Sequence, residues 1–297
     1  MKTSLLLPLL ALATAATLHA APPSALPQPG PALTALEAKY GGHWAFKGDV
    51  LSFKADAPLS EDVWKEIQAL GAKNIYVGGK GIDDAALVRF SKLPLEGLSI
   101  DNSSLTEAGL ATLKDMKQLQ ALGLSHALAL KGPGLAAIAN HPTLKSVSIG
   151  GTGVGDAAMA PIASIKQLTR LALNHDQITD AGLAALANHP ALETLMFSPQ
   201  MTPRLTDKSL ATVATLKALK ELTINDTVLT YDGGLKLLKQ LPNLQKLTLT
   251  KVGVSEADVA KLKADLPKVD VKFTPAAEDA VAKWQQQFEK MKAGGTK

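Results

Sequence analysis

The sequence predicts an α/β solenoid. About nine strand–helix units of roughly 24 residues stack into an arc with a parallel inner sheet and a cap at each end. Three observations predict it. Nine apolar anchors recur (Leu51, Ile75, Leu98, Leu122, Val147, Leu171, Leu195, Leu222 and Leu247) at spacings of 23 to 27 residues. Seven of them carry a leucine three positions back: Leu95, Leu119, Leu144, Leu168, Leu192, Leu219 and Leu244. A helix-start signal recurs after six of the nine anchors, as Ser60-Glu61, Asp83-Asp84, Thr106-Glu107, Thr179-Asp180, Thr206-Asp207 and Ser255-Glu256. A single short strand and short helix cannot bury an apolar face alone, whereas stacked copies share one continuous core.

In chain order, residues 1–20 read as a secretory signal peptide. Met1-Lys2 leads an apolar run too short to span a bilayer, and small residues end at Ala20-Ala21. Residues 21–32 hold Pro22, Pro23, Pro27, Pro29 and Pro31 and read as an extended linker. Residues 33–47 read as an N-terminal cap, with a short helix over residues 33–40 stopped by Gly41-Gly42. Its Tyr40, Trp44 and Phe46 are suited to plugging an open core end.

The repeats occupy residues 48–274. Residues 168–192 are the most regular copy. Leu171-Ala172-Leu173 alternates as a strand does, and Thr179 caps a helix with Leu183 and Leu186 on one face. Asn188 suits a left-handed helix end before Pro190. Residues 199–204 are three residues longer than the matching loop elsewhere and read as a protruding insertion. The last strand, Val269-x-Val271-x-Phe273, leaves the leucine pattern. Residues 275–297 then form an amphipathic helix and tail. Val281, Trp284, Phe288 and Met291 share a stripe that either folds back as a cap or docks a partner through Trp284 and Phe288.

The form Leu-x-x-Leu-x-Leu followed by Thr-Asp-x-Gly-Leu-x-x-Leu resembles the leucine-rich repeat family, in the short-helix, cysteine-free type of secreted bacterial proteins. It resembles ribonuclease inhibitor and F-box leucine-rich proteins more distantly. The resemblance covers about residues 48–274. It implies a curved scaffold that binds macromolecules, with no reaction and no specific ligand. The family's usual asparagine at the ninth repeat position is replaced here by Ser103, Thr152, Asp176 or Thr227, so the loop hydrogen bonds must be made differently.

Chemistry is sparse in the sequence. With no cysteine there are no disulfides, thiolate ligands or cysteine nucleophiles. The net charge of +4 is spread over helices and loops, unlike a nucleic-acid footprint. His126 and His175 share one loop column two repeats apart, and His141 and His189 share the helix-end column. Each pair supplies two ligands where zinc needs three or four, so no metal or cofactor is expected. Residues 150–155 are glycine-rich but lack the Lys-Ser/Thr of a phosphate loop. The carboxylates Asp84, Glu107, Asp156, Asp180 and Asp207 are expected to serve helix starts.

The concave strand face holds small, hydroxyl-bearing side chains on its N-terminal side and charged ones later. It lacks the large anchors of a tight clamp. The candidate ligand-binding residues are Tyr76, Ser99, Ser148, Arg170 and Met196 on that face, with Met201 and Arg204 in the insertion. The expectation is a non-enzymatic periplasmic or secreted scaffold that binds a protein or cell-envelope polymer. The alternative is a secreted enzyme inhibitor or effector.

Overall fold

The computed structural model describes residues 44–294. The expected signal peptide, linker, helix over residues 33–40 and last tail residues lie outside the described residues. Eleven strands form one sheet in strict sequence order: β1 (Ala45–Lys47), β2 (Val50–Lys54), β3 (Asn74–Gly78), β4 (Gly97–Asp101), β5 (Ala121–Ser125), β6 (Ser146–Gly150), β7 (Arg170–Asn174), β8 (Thr194–Ser198), β9 (Glu221–Val228), β10 (Lys246–Gly253) and β11 (Asp270–Pro275). From β2 to β11 every neighbour is parallel, which makes an open leucine-rich-repeat solenoid. The end of the cap segment, beyond the helix expected over residues 33–40, is extended. Ala45–Lys47 is a strand antiparallel to β2.

The nine anchors lie in one register line and are at most 2% exposed. The leucines three positions earlier bury beside them, at most 6% exposed. Each such leucine contributes about 2 kcal/mol of burial, and only the neighbouring repeat makes that burial possible. Short helices return the chain: α1 (Glu61–Leu70), α2 (Asp84–Phe90), α3 (Met159–Ala163), α4 (Asp180–Leu183), α5 (Asp207–Val213) and α6 (Glu256–Asp265), with 3-10 segments in the other repeats. Ser60, Asp83, Thr179, Thr206 and Ser255 are N-caps, each accepting from a backbone N–H of the first turn.

Helix-start carboxylates join one repeat to the next. Asp156 does not cap its own helix. Its Oδ1 accepts from the Thr179 backbone N–H (2.8 Å) and its Oδ2 from the Thr179 hydroxyl (2.7 Å), one repeat later. Asp84 does the same to Thr106, Asp180 to Thr206 and Asp207 to Thr230. Glu107 reaches the backbone N–H groups of Lys131, Gly132 and Gly134 instead. This explains the glycine of Thr-x-x-Gly. A Cβ on Gly109, Gly182 or Gly233 would overlap the preceding repeat's carboxylate oxygen. Where Ser209 takes that place, its hydroxyl donates to Asp180.

A left-handed residue follows each strand from β3 to β7 (Gly79, Asn102, His126, Gly151 and His175), and the equivalent Asp226 and Lys251 are left-handed within the longer β9 and β10, where the pairing skips them. At the helix ends Asn140 (φ 53°) and Asn188 (φ 58°) are left-handed as expected. The histidines after them are buried punctuation. His189 Nε2 lies 3.0 Å from the Ile165 carbonyl, which can only accept, so Nε2 carries the proton. Burial holds both His141 and His189 below the usual histidine range.

Two departures are folded down rather than standing out. In the insertion Pro199 and Pro203 are buried, and only Gln200 is exposed. Gln200 (φ 57°) and Met201 (φ 51°) are both left-handed, and the Met201 N–H donates to the Asp226 carbonyl (2.6 Å). The expected protruding loop is thus a pinned turn. The C-terminal helix α7 (Glu278–Gly294) folds back over the ends of the last strands. Val281 packs so closely on Gly253 that a Cβ there would stand 2.8 Å from it. Trp284 is 6% exposed and stacks on half-buried Phe288 (centroids 4.9 Å apart). Of the two alternatives for this stripe, a cap or a docking face, Trp284 and Phe288 are engaged within the chain, leaving Met291 exposed.

Candidate functional site

Strand pleating sends alternate residues to the face away from the helices. One outward row runs Ser52, Tyr76, Ser99, Gly123, Ser148, Ala172, Met196, Thr223 and Thr248 in unbroken register. The second runs Val50, Asn74, Gly97, Ala121, Ser146, Arg170, Thr194, Glu221 and Lys246. The candidates Tyr76, Ser99, Ser148 and Met196 therefore share one row, all half-buried, and Arg170 stands in the other. Met201 and Arg204 are not on this face. They belong to the pinned turn, where Arg204 Nη1 donates to the Thr202 hydroxyl (3.0 Å).

The face has two walls and a floor. Tyr76 rises from β3, and Arg170 and Met196 rise as diagonal neighbours from β7 and β8. Strands about 4.8 Å apart put roughly 19 Å between Tyr76 and Arg170. The floor between them is Gly97, Ser99, Ala121, Gly123, Ser146 and Ser148. It is tightly laid: a Cβ on Gly123 would stand 2.6 Å from Ser99 Oγ. Burial, then the Asp49 carboxylate, push the Tyr76 phenol above its usual range, so it presents a neutral hydroxyl.

Several acids at the strand starts and ends are engaged, while Glu221 and Lys246 of the second row form no ion pair among the described residues. Glu96 pairs with Lys73 (3.0 Å), Glu193 with Lys220 (2.8 Å), and Asp101 with His126 Nδ1 (2.6 Å). Asp226 accepts from the Ser198 hydroxyl (2.8 Å), with His175 Nε2 at 3.7 Å. Arg170 and its neighbour Lys145 have no ion-pair partner among the described residues.

The loop pairs Asp101–His126 and Asp226–His175 escape sequence reasoning. Their members lie one and two repeats apart, and the insertion hides the second alignment. His175, Ser198 and Asp226 are not a nucleophilic triad. The carboxylate sits between serine and histidine, and Ser198 is 3% exposed. Among the described residues no three of His, Asp and Glu are arranged to hold a metal, and no helix is long and apolar enough to cross a membrane.

No protein-family model matches the chain, and no curated protein does. Solved structures similar to it include internalin C2 of Listeria monocytogenes, at 21% identity and TM-score 0.48 over 82% of this chain and 93% of that one. An internalin of the same organism is similar at 15% identity and TM-score 0.45, over 71% and 70%. A Bacteroides fragilis protein is similar at 19% and 0.47, over 76% and 74%. What makes the chain a leucine-rich-repeat solenoid is its own strand register and repeat period.

Proposed function

We propose that the chain is a non-enzymatic, extracytoplasmic scaffold whose outward strand face, from Tyr76 to Met196, holds a protein. Domains follow from this reading: residues 1–20 direct export, residues 21–32 space the solenoid from its surroundings, and residues 48–274 present the face. The observation that carries it is Arg170. A half-buried arginine with five donors and no carboxylate within ion-pair distance stands over a small-residue floor, while Glu96 and Glu193 at the neighbouring strand starts are paired with lysines. Such a group supports the fold little and is poised for a ligand's acid.

Partner capture from cell-envelope fractions tests the proposal. Ser148→Trp, which fills the floor while pointing away from the core, is expected to lose the partner that the parent chain retains. Equal capture by both would move the site elsewhere. Capture of one hydrolase with loss of its activity would favour the inhibitor reading, and turnover of a substrate would end the scaffold reading.

A further inference from the structure

The two ends of the stack are finished differently. At the first end β1 turns back against β2, and Trp44, 5% exposed, stacks on Phe53 with centroids 4.2 Å apart. At the other end β11 pairs with β10 alone. Its core-facing side chains Val271 and Phe273, and Val269 before them, stay half-buried because no further repeat lays leucines beside them. Among the described residues nothing pairs with this edge, since α7 folds back over the ends of β9 and β10.

The backbone of the edge is open in a definite pattern. Asp270 N–H donates to the Gln245 carbonyl (2.8 Å), so Asp270, Lys272 and Thr274 spend their backbone groups on β10. Those of Val271 and Phe273 point outward. An unpaired strand edge of this kind is a template for another strand.

We propose that β11 pairs antiparallel with β11 of a second copy of this chain, about a two-fold axis through Val271. In that register Val271 faces Val271, Val269 faces Phe273 of the second copy, and Asp270 faces Lys272 of the second copy. The core-facing pairs are all apolar and the outward pairs are opposite in charge. Registers two residues away lose this match, because one sets Asp270 against Asp270 and the other Lys272 against Lys272. Odd shifts set core-facing against outward side chains. The strand is therefore complementary to itself in one register, which is what a two-fold interface requires. Within one copy Asp270 and Lys272 lie 3.7 Å apart and are largely exposed, free to exchange partners across the axis. Joining the edges continues both sheets into one and buries the half-open row of valines and phenylalanine. The proposal is independent of what the outward face binds.

Sedimentation of the full chain over a micromolar concentration series tests it. A reversible dimer is expected. Lys272→Asp places Asp270 against an aspartate twice per dimer and is expected to weaken association about tenfold or more. Asp270→Lys is expected to do the same, and the double exchange to restore the parent value. Both side chains are exposed, so unchanged thermal melts will show intact folds. A monomer throughout the series, a dimer indifferent to Lys272→Asp, or a double exchange that does not restore pairing would each overturn the proposal.

Discussion

Asp176 is a carboxylate in a column of buried neutral side chains: Ser103, Ala127, Thr152 and Thr227. Its Oδ1 accepts from the Thr152 hydroxyl (2.7 Å) and backbone N–H (3.2 Å), while Oδ2 is buried without a partner. Burial raises its pKa from 3.8 to about 6 against the lowering effect of those bonds. Folding is unpenalised below the unfolded value, and the cost grows as pH rises from about 4 through about 6, reaching about 3 kcal/mol. Buried His141 and His189 act in the opposite direction, since their lowered values make the chain lose stability as pH falls below the usual histidine range. Asp176→Asn isolates the aspartate. Denaturant titrations should find it more stable than the parent at pH 8, by up to about 2–3 kcal/mol, and nearly equal at pH 4. Equal stability at pH 8 would show the carboxylate is not desolvated. The resemblance to leucine-rich repeats made this position visible in the sequence as a departure from asparagine. Its hydrogen bonds and orphan oxygen depend on the facing repeat and were not visible.

At the scale of the elements, the carboxylate–threonine rungs are the joints of the stack. Each combines two charge-assisted hydrogen bonds, one to a helix-start N–H and one to its capping hydroxyl. Asp156→Ala should therefore cost about 2–3 kcal/mol, by loss of the bonds and of the only partner of the Thr179 backbone N–H among the described residues, read as a shift in urea midpoint without a change in slope. Gly182→Ala puts a methyl on the oxygen that Asp156 presents and should cost about 1–3 kcal/mol by overpacking. The two costs should not add, because removing Asp156 makes room for the methyl. Strict additivity would mean the rung is not the cause. The sequence shows both halves of each rung, a helix-start aspartate and, one repeat later, a threonine followed in three of the four by a glycine three residues on. It does not say that the carboxylate serves the next repeat, because 22 to 26 residues separate the partners. The insertion was misjudged for a related reason. Two buried prolines and two left-handed residues pin it to Asp226, a contact no local pattern announces.

Across the whole molecule, the division of labour between the two sheet faces is the organising fact. The core-facing leucines recur because each needs the next repeat to bury it, so period and strand order were legible from sequence to the last strand. The outward rows carry no such demand, and their residue types could be read off although their pairing could not. Glu96, Glu193 and Asp101 are engaged with neighbouring repeats, and Arg170 and Lys145 have no ion-pair partner among the described residues, nor have Glu221 and Lys246 further along the row. In the proposed function this cationic place on the face works for a ligand and not for the fold. The most direct measurement is a pair of readings on Arg170→Glu: its thermal midpoint, and its capture of the envelope partner held by the parent chain. An unchanged midpoint with capture lost is expected. A lowered midpoint with capture retained would show that Arg170 belongs to the scaffold and that the binding face lies elsewhere.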